Sequence, residues 1–137
     1  HGVCANARAL AEALVGRGYD LVTGGTDNHL LLIDLTRQGI GGRKAAHVLN
    51  TCGIELNANT IPFDPRKPFD PSGLRIGVAA ITSRGLRPEQ MATVAELIDG
   101  GVRMAVSAGE GEPASEATKR LRGVVRDFLA PFPAPGL

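Results

Sequence analysis

Four prolines at three-residue spacing, Pro62, Pro65, Pro68 and Pro71, constrain this chain more than any other feature. Proline fixes φ and has no N–H, so neither a helix nor an interior strand can run through them. Residues 58–71 must therefore form a loop laid over a surface. A loop of this length in a compact domain usually has a task or covers a site. It leaves from Asn57-Ala58-Asn59-Thr60-Ile61 and arrives at Ser72-Gly73-Leu74-Arg75-Ile76-Gly77.

Residues 73–78 read as a strand in which Arg75 stands between Leu74 and Ile76. That pattern predicts a largely buried arginine. A buried guanidinium without a partner is strongly unfavourable, so Arg75 needs an internal carboxylate or an external anion. The planar fork suits bidentate binding of a carboxylate. Gly73 and Gly77 would leave room for a ligand to approach. The pattern alone leaves both partners open and weights towards the structural ion pair.

Around this stretch the chain alternates helical and extended patterns. Residues 3–16 are Ala-rich with Leu10 and Leu14 on one stripe, ended by Gly16 and Gly18, and predict a helix. Residues 20–23 and the continuous apolar run 29–35 predict two strands of a hairpin, the second buried on both faces, joined by Gly24-Gly25-Thr26-Asp27-Asn28. A helix over 42–52 turns Ala45, Ala46, Val48 and Leu49 inward, and residues 54–57 are extended. Residues 87–106 predict a helix started by Pro88, with Met91, Val94, Leu97, Ile98 and Val102 at its period. Gly100-Gly101 weakens its middle and leaves room for a kink. After a polar linker over 107–113, residues 114–129 form a last helix with Leu121, Val124, Val125, Phe128 and Leu129 on one face. The sum is an α+β fold, a small, mainly antiparallel sheet of three to four strands covered by helices.

Composition removes several classes of function. The 137 residues suffice for one domain with a core, and a net charge of +1 provides no field for nucleic acid or a membrane surface. Aromatic residues make up 4% and Trp is absent, which argues against a base-stacking platform. No apolar run reaches bilayer length. Cys4 and Cys52 form no CxxC pair and read as reduced, partly buried thiols of a cytosolic protein. The chain begins His1-Gly2-Val3 without Met, and the expectation is a piece of something longer.

Other polar residues carry weaker signals. Asn57 and Asn59 offer a donor and an acceptor each, as needed to read an amide or a pterin-like ring edge, though the pattern alone favours turn capping. Gly24-Gly25-Thr26 does not match a phosphate-binding loop and suits a hairpin turn. His29 reads as a hydrogen-bonded structural residue. His47 has no second ligand at metal spacing and His1 is at a chain end, so no metal site is expected. Glu110 and Glu112 read as solvated charge, and Arg84 as a capping or ion-pair residue.

The order of motifs adds a resemblance. Asn6-Ala7-Arg8-Ala9-Leu10-Ala11, Gly24-Gly25-Thr26-Asp27-Asn28-His29-Leu30, Asp34-Leu35, Gly53-Ile54, Asn57-Ala58-Asn59-Thr60-Ile61-Pro62, Ser72-Gly73-Leu74-Arg75-Ile76-Gly77, Thr82-Ser83-Arg84-Gly85 and Phe132-Pro133 occur in this sequence. The series resembles the C-terminal portion of serine hydroxymethyltransferase, from about residue 3 to residue 133. That family uses pyridoxal phosphate in the fold shared with aspartate aminotransferase. The resemblance implies that residues 17–130 are the small C-terminal domain of a fold type I enzyme. Residues 1–16 would be a helix linking to an absent large domain, and 131–137 a loose tail. It implies that Arg75 binds the carboxylate of the amino-acid substrate and that Asn59 contacts tetrahydrofolate. It further implies a cytoplasmic homodimer or tetramer, with pyridoxal phosphate bound mainly by the missing N-terminal, large domain.

The Schiff-base lysine of such enzymes sits in a Thr-rich motif of the large domain. Lys44, Lys67 and Lys119 do not match it. The chain alone is therefore expected to hold no cofactor covalently and to be inactive. It also departs from the family pattern at Gly41, Ala58, Val78 and Ala79, where Thr, Lys, Thr and Pro are usual. These changes leave the role of Arg75 intact. They admit a second reading, a folate-independent threonine aldolase or transaldolase on the same scaffold. A third is a non-catalytic subunit.

Overall fold

A computed structural model describes residues 2–22 and 30–133. In chain order these form α1 (Gly2–Gly16), β1 (Asp20–Leu21), β2 (Leu30–Asp34), α2 (Gly42–Thr51), β3 (Asn57–Asn59), β4 (Gly73–Gly77), α3 (Val78–Ser83), α4 (Met91–Ser107) and α5 (Ser115–Leu129). A 3-10 turn, Pro88–Gln90, leads into α4. The expected Gly24–Asn28 turn, His29 at the start of the expected strand, and the end of the tail lie outside the described residues.

The four strands form one sheet in the order β1-β2-β4-β3, and every pairing is antiparallel. This is the expected α+β architecture. The helices cover one face only. Side chains alternate along a strand, so Leu31 and Ile33 of β2 and Leu74 and Ile76 of β4 enter the core. There they join Leu10 and Leu14 of α1, Leu49 of α2, and Met91, Ile98 and Val102 of α4.

The other face of the sheet is covered by no described helix, and this corrects two expectations. Over its described residues 30–35 the apolar run is buried on one side only: Leu31 is 2% exposed whereas Leu30 is 47% exposed. A continuous apolar run fits a strand covered on both faces, but no described helix lies over the second face. For the same reason Arg75 is exposed, not buried.

Backbone contact explains several glycines. A side chain at Gly42 would run into the carbonyl oxygen of Gly73, because the first turn of α2 sits directly on β4. The Gly42 N–H donates to the Pro71 carbonyl there at 2.7 Å. The doublet Gly100-Gly101 produces no break: α4 runs as one helix from Met91 to Ser107. Gly101 instead gives Leu49 of α2 the space that a Cβ would fill.

Two polar ties fix the ends of α1. Asn6, only 1% exposed, donates its amide to Thr82 Oγ1 and to the Leu86 carbonyl, each at 2.9 Å. These bonds hold α3, a short helix with no counterpart among the sequence expectations. Beyond the other end of α1, buried Asp99 of α4 accepts from Tyr19 Oη at 2.6 Å, Arg103 Nε at 3.0 Å and Arg17 Nη1 at 3.2 Å. Burial and then the Asp99 carboxylate push the Tyr19 hydroxyl far above its ordinary pKa.

Helix α5 packs more shallowly than its pattern implies. Only Val125 is fully buried, Leu121, Phe128 and Leu129 are half-buried, and Val124 is exposed. The apolar stripe of α5 is wider than the surface offered to it.

Candidate functional site

The open face of the sheet carries the candidate site. In register, Arg75 of β4 stands between Leu32 of β2 and Asn57 of β3. Two residues along, Gly73 stands between Asp34 and Asn59. The two-residue period puts Asn57, Asn59 and Arg75 on one face. The guanidinium makes no hydrogen bond or ion pair with any described residue. The internal carboxylate that the pattern favoured is thus absent among the described residues, and the fork is free for an external anion.

The two glycines flanking this strand differ. A Cβ at Gly73 would lie 2.6 Å from the Asn59 carbonyl oxygen and 3.0 Å from both Ile61 Cγ2 and Leu32 Cδ1. Gly73 therefore serves close packing of β3 and the proline loop, not ligand access. At Gly77 the nearest described atom is Leu30 Cδ2, at 4.0 Å. The loop covers one end of the row, and no described residue crowds the other.

The loop is held by one carboxylate. Asp64 accepts from Ser72 Oγ at 2.7 Å, the Arg66 N–H at 2.8 Å, the Ser72 N–H at 2.9 Å and the Ile61 N–H at 3.2 Å. Partial burial pushes this carboxyl up, but the bonds from Ser72, Arg66 and Ile61 outweigh it and hold its pKa far below the usual range. Asp64 thus ties the start of the loop to Ser72, three residues before Arg75. Sequence reading did not single it out. The signal available was Asp64-Pro65, a turn-initiating pair whose carboxylate bonds the backbone two residues on.

Within the loop, Phe63 has a φ of 55° and is fully exposed. Phe69 is also exposed, with Lys67 Nζ 5.8 Å from its ring centre. The Arg66–Asp70 ion pair, 2.8 Å long, lies over Gly41, where a Cβ would meet Asp70 Oδ1 at 2.5 Å.

The remaining sequence candidates lie apart from Arg75. Asn59 faces the same side, but its Nδ2 donates to the Thr60 carbonyl at 2.9 Å, the local bond of a capping residue. His47 of α2 lies 3.3 Å from Glu112 and both side chains are exposed, in keeping with a solvated Glu112. Arg84 is the C-cap residue of α3 and has no ion pair with a described residue. Cys4 and Cys52 are free thiols, and burial pushes the pKa of Cys52 up against the pull of Arg122. His1, Gly24-Gly25-Thr26 and His29 lie outside the described residues. Among the described residues no three His, Cys, Asp or Glu side chains cluster as a metal site, and no helix is long and apolar enough to cross a membrane.

Comparison with known proteins agrees with the motif order. The family model for serine hydroxymethyltransferase matches residues 1–98. The serine hydroxymethyltransferase of Acidothermus cellulolyticus is 53% identical over 135 residues, covering 98% of this chain and 31% of that protein. Those of Sorangium cellulosum and Desulfotalea psychrophila are 49% and 47% identical, again over 98% of this chain and 30% of their own lengths. The chain spans about three tenths of these relatives, and it belongs to the serine hydroxymethyltransferase family.

Proposed function

We propose that this chain is the C-terminal, small-domain part of an enzyme that interconverts serine and glycine with tetrahydrofolate as the one-carbon acceptor. In this reading Arg75 binds the substrate carboxylate. The observation that carries it is the unpaired Arg75 guanidinium on the open face of the sheet in a chain of this family. A fork fixed on a central strand holds a carboxylate in one orientation and so fixes the direction of the bonds at Cα. The proline loop shields one end of that face from water. Asn57, paired with Arg75 across the ladder, provides an uncharged polar side chain on the same face.

Pyridoxal phosphate, when bound, would supply the electron sink for bond cleavage at Cα. The residues present do not fit its covalent site. Lys44 lies on α2, Lys67 in the proline loop and Lys119 on α5, and none lies on a strand of the sheet. The cofactor therefore belongs to the large domain of the complete enzyme, which would cover this face, with α1 as the link. The complete enzyme is proposed to be a cytoplasmic homodimer or tetramer.

The test is Arg75→Ala in the complete enzyme. Losing a charged bidentate contact costs about 1.5–3 kcal/mol per bond, so the KM for glycine should rise at least about tenfold. Unchanged glycine binding would overturn the assignment.

One observation favours a second reading, the same scaffold without folate. One of the two N–H donors of the Asn59 amide is engaged by the Thr60 carbonyl, and its neighbour is Ala58 where the family pattern has Lys, so this stretch offers a pterin fewer donors than that pattern does. Assays of serine cleavage with and without tetrahydrofolate, beside threonine cleavage, separate the two. Folate-independent threonine cleavage as the main activity would replace the first reading with an aldolase.

A further inference from the structure

Away from the Arg75 face, the shallow packing of α5 leaves a cavity of about 410 Å3 on the helical side of the sheet. Its walls include Ile76 of β4, Ile81 of α3, Leu97 and Ile98 of α4, and Phe128 and Leu129 of α5. A second recess adjoins it, sharing Gly53, Arg84, Val125 and Leu129. Arg84 thus lines both, and its Nε is buried without a hydrogen-bond partner among the described residues. Two more guanidinium groups, Arg122 and Arg126, line the second recess. Arg122 is engaged through Nε with the Thr51 carbonyl at 2.9 Å, and Arg126 lies 3.7 Å from its neighbour Asp127. One carboxylate, the exposed Glu55, lines the apolar end.

We infer that this cavity is a binding site for a small apolar carboxylate, its hydrocarbon body between α4 and α5 and its head on Arg84. The volume falls in the range of small-molecule sites, and the lining has their usual form, apolar walls with a few convergent polar groups. A buried N–H without an acceptor is unfavourable, and a carboxylate at Arg84 supplies that acceptor. The arginines beside it exclude a cationic head. The site is separate from the proposed substrate site, because Arg84 follows α3 and lines the helical side whereas Arg75 lies on the open face.

The test uses the complete protein and decanoate, with decanol and decylamine as probes of the same length. By calorimetric titration decanoate should bind at least about tenfold more tightly than either, the margin of a charge-assisted bond. Arg84→Gln should erase that preference and Arg84→Lys retain part of it. Ala80→Phe, which fills the cavity from α3 and keeps Arg84, should abolish binding of all three. Arg75→Ala should leave decanoate binding unchanged. Equal affinity for the three probes, no binding to the complete protein, or retained binding in Ala80→Phe would overturn the inference. So would unaltered preference in Arg84→Gln, or loss of decanoate binding in Arg75→Ala, which would place the acid on the sheet face instead. Failure of the Arg75 carboxylate assignment leaves each of these readouts intact.

Discussion

Asp64 accepts hydrogen bonds from both the backbone N–H and the hydroxyl of Ser72, at 2.9 and 2.7 Å. The same carboxylate reaches back to the Ile61 N–H, so one side chain closes the proline loop at its two ends. Ser72 leads directly into β4. Asp64 thus fixes the loop to the residue that enters β4, while pairing with Leu32 and Asn57 fixes Arg75 within the sheet.

Asp64→Asn should therefore loosen the loop without unfolding the domain. An amide accepts through one oxygen and cannot serve four donors. Hydrogen exchange at the Ser72 and Arg66 amides should accelerate, while the melting temperature falls by less than in a core variant. Protection equal to wild type would show that the prolines alone hold the loop.

The anchor has a defined pH dependence. The folded pKa of Asp64 is depressed, whereas its unfolded value is the ordinary one, near ~3.9. Its contribution is fully present above that unfolded value and is lost as pH falls through the lower folded value. An NMR titration of the Asp64 carboxyl should find it ionised at pH values where exposed carboxylates of the chain have already taken up a proton. A midpoint in the ordinary carboxylate range would contradict the hydrogen-bond geometry.

Arg75→Ala separates a ligand role from a structural one. The guanidinium is exposed and unpaired among the described residues, so stability should change by no more than about 0.5 kcal/mol. Breaking a buried ion pair would instead cost roughly 3–5 kcal/mol. Chemical denaturation of the complete enzyme decides between them, alongside the rise in the KM for glycine.

Tyr19→Phe should destabilise the junction of α1 and α4. The hydroxyl bonds a buried carboxylate at 2.6 Å, and losing a hydrogen bond to a charged group costs about 1.5–3 kcal/mol. Because the folded pKa of Tyr19 is raised, its contribution is complete below the ordinary tyrosine value of about 10. It is lost as pH rises towards the folded value. The gap between wild type and Tyr19→Phe should then narrow in alkaline denaturation curves, and a constant gap would contradict the assignment.

Gly42→Ala tests the close approach of α2 to β4. The added methyl would meet the backbone oxygen of Gly73, which cannot move without breaking the sheet, so the cost should be about 1–3 kcal/mol or more. Alanine at the exposed, unobstructed Gly16 is the control and should be neutral or slightly stabilising.

Local pattern alone was enough for most of the elements. The periods in α1, α2 and α4 are strong, and their predicted inner residues Leu10, Leu14, Leu49, Ile98 and Val102 are the buried ones. The four prolines marked 58–71 as a loop, which holds for residues 60–71, whereas Ala58 and Asn59 ahead of the first proline pair with β4 as part of β3. Arg75 stood out as the one charge in an apolar strand. These features are local, so spacing and residue type suffice to read them. What the other face of the sheet meets is a different kind of fact. Leu-Leu-Leu-Ile in β2 and Leu-Arg-Ile in β4 look the same whether helices lie on one side or two, so the exposure of Arg75 waited on tertiary packing. So did the Asp64–Ser72 tie, which spans eight residues, and the Asp99 cluster with Tyr19, which spans eighty. Sequence periodicity carries no distance between remote groups. Only the folded chain turns an expected buried arginine into a free guanidinium on an open sheet.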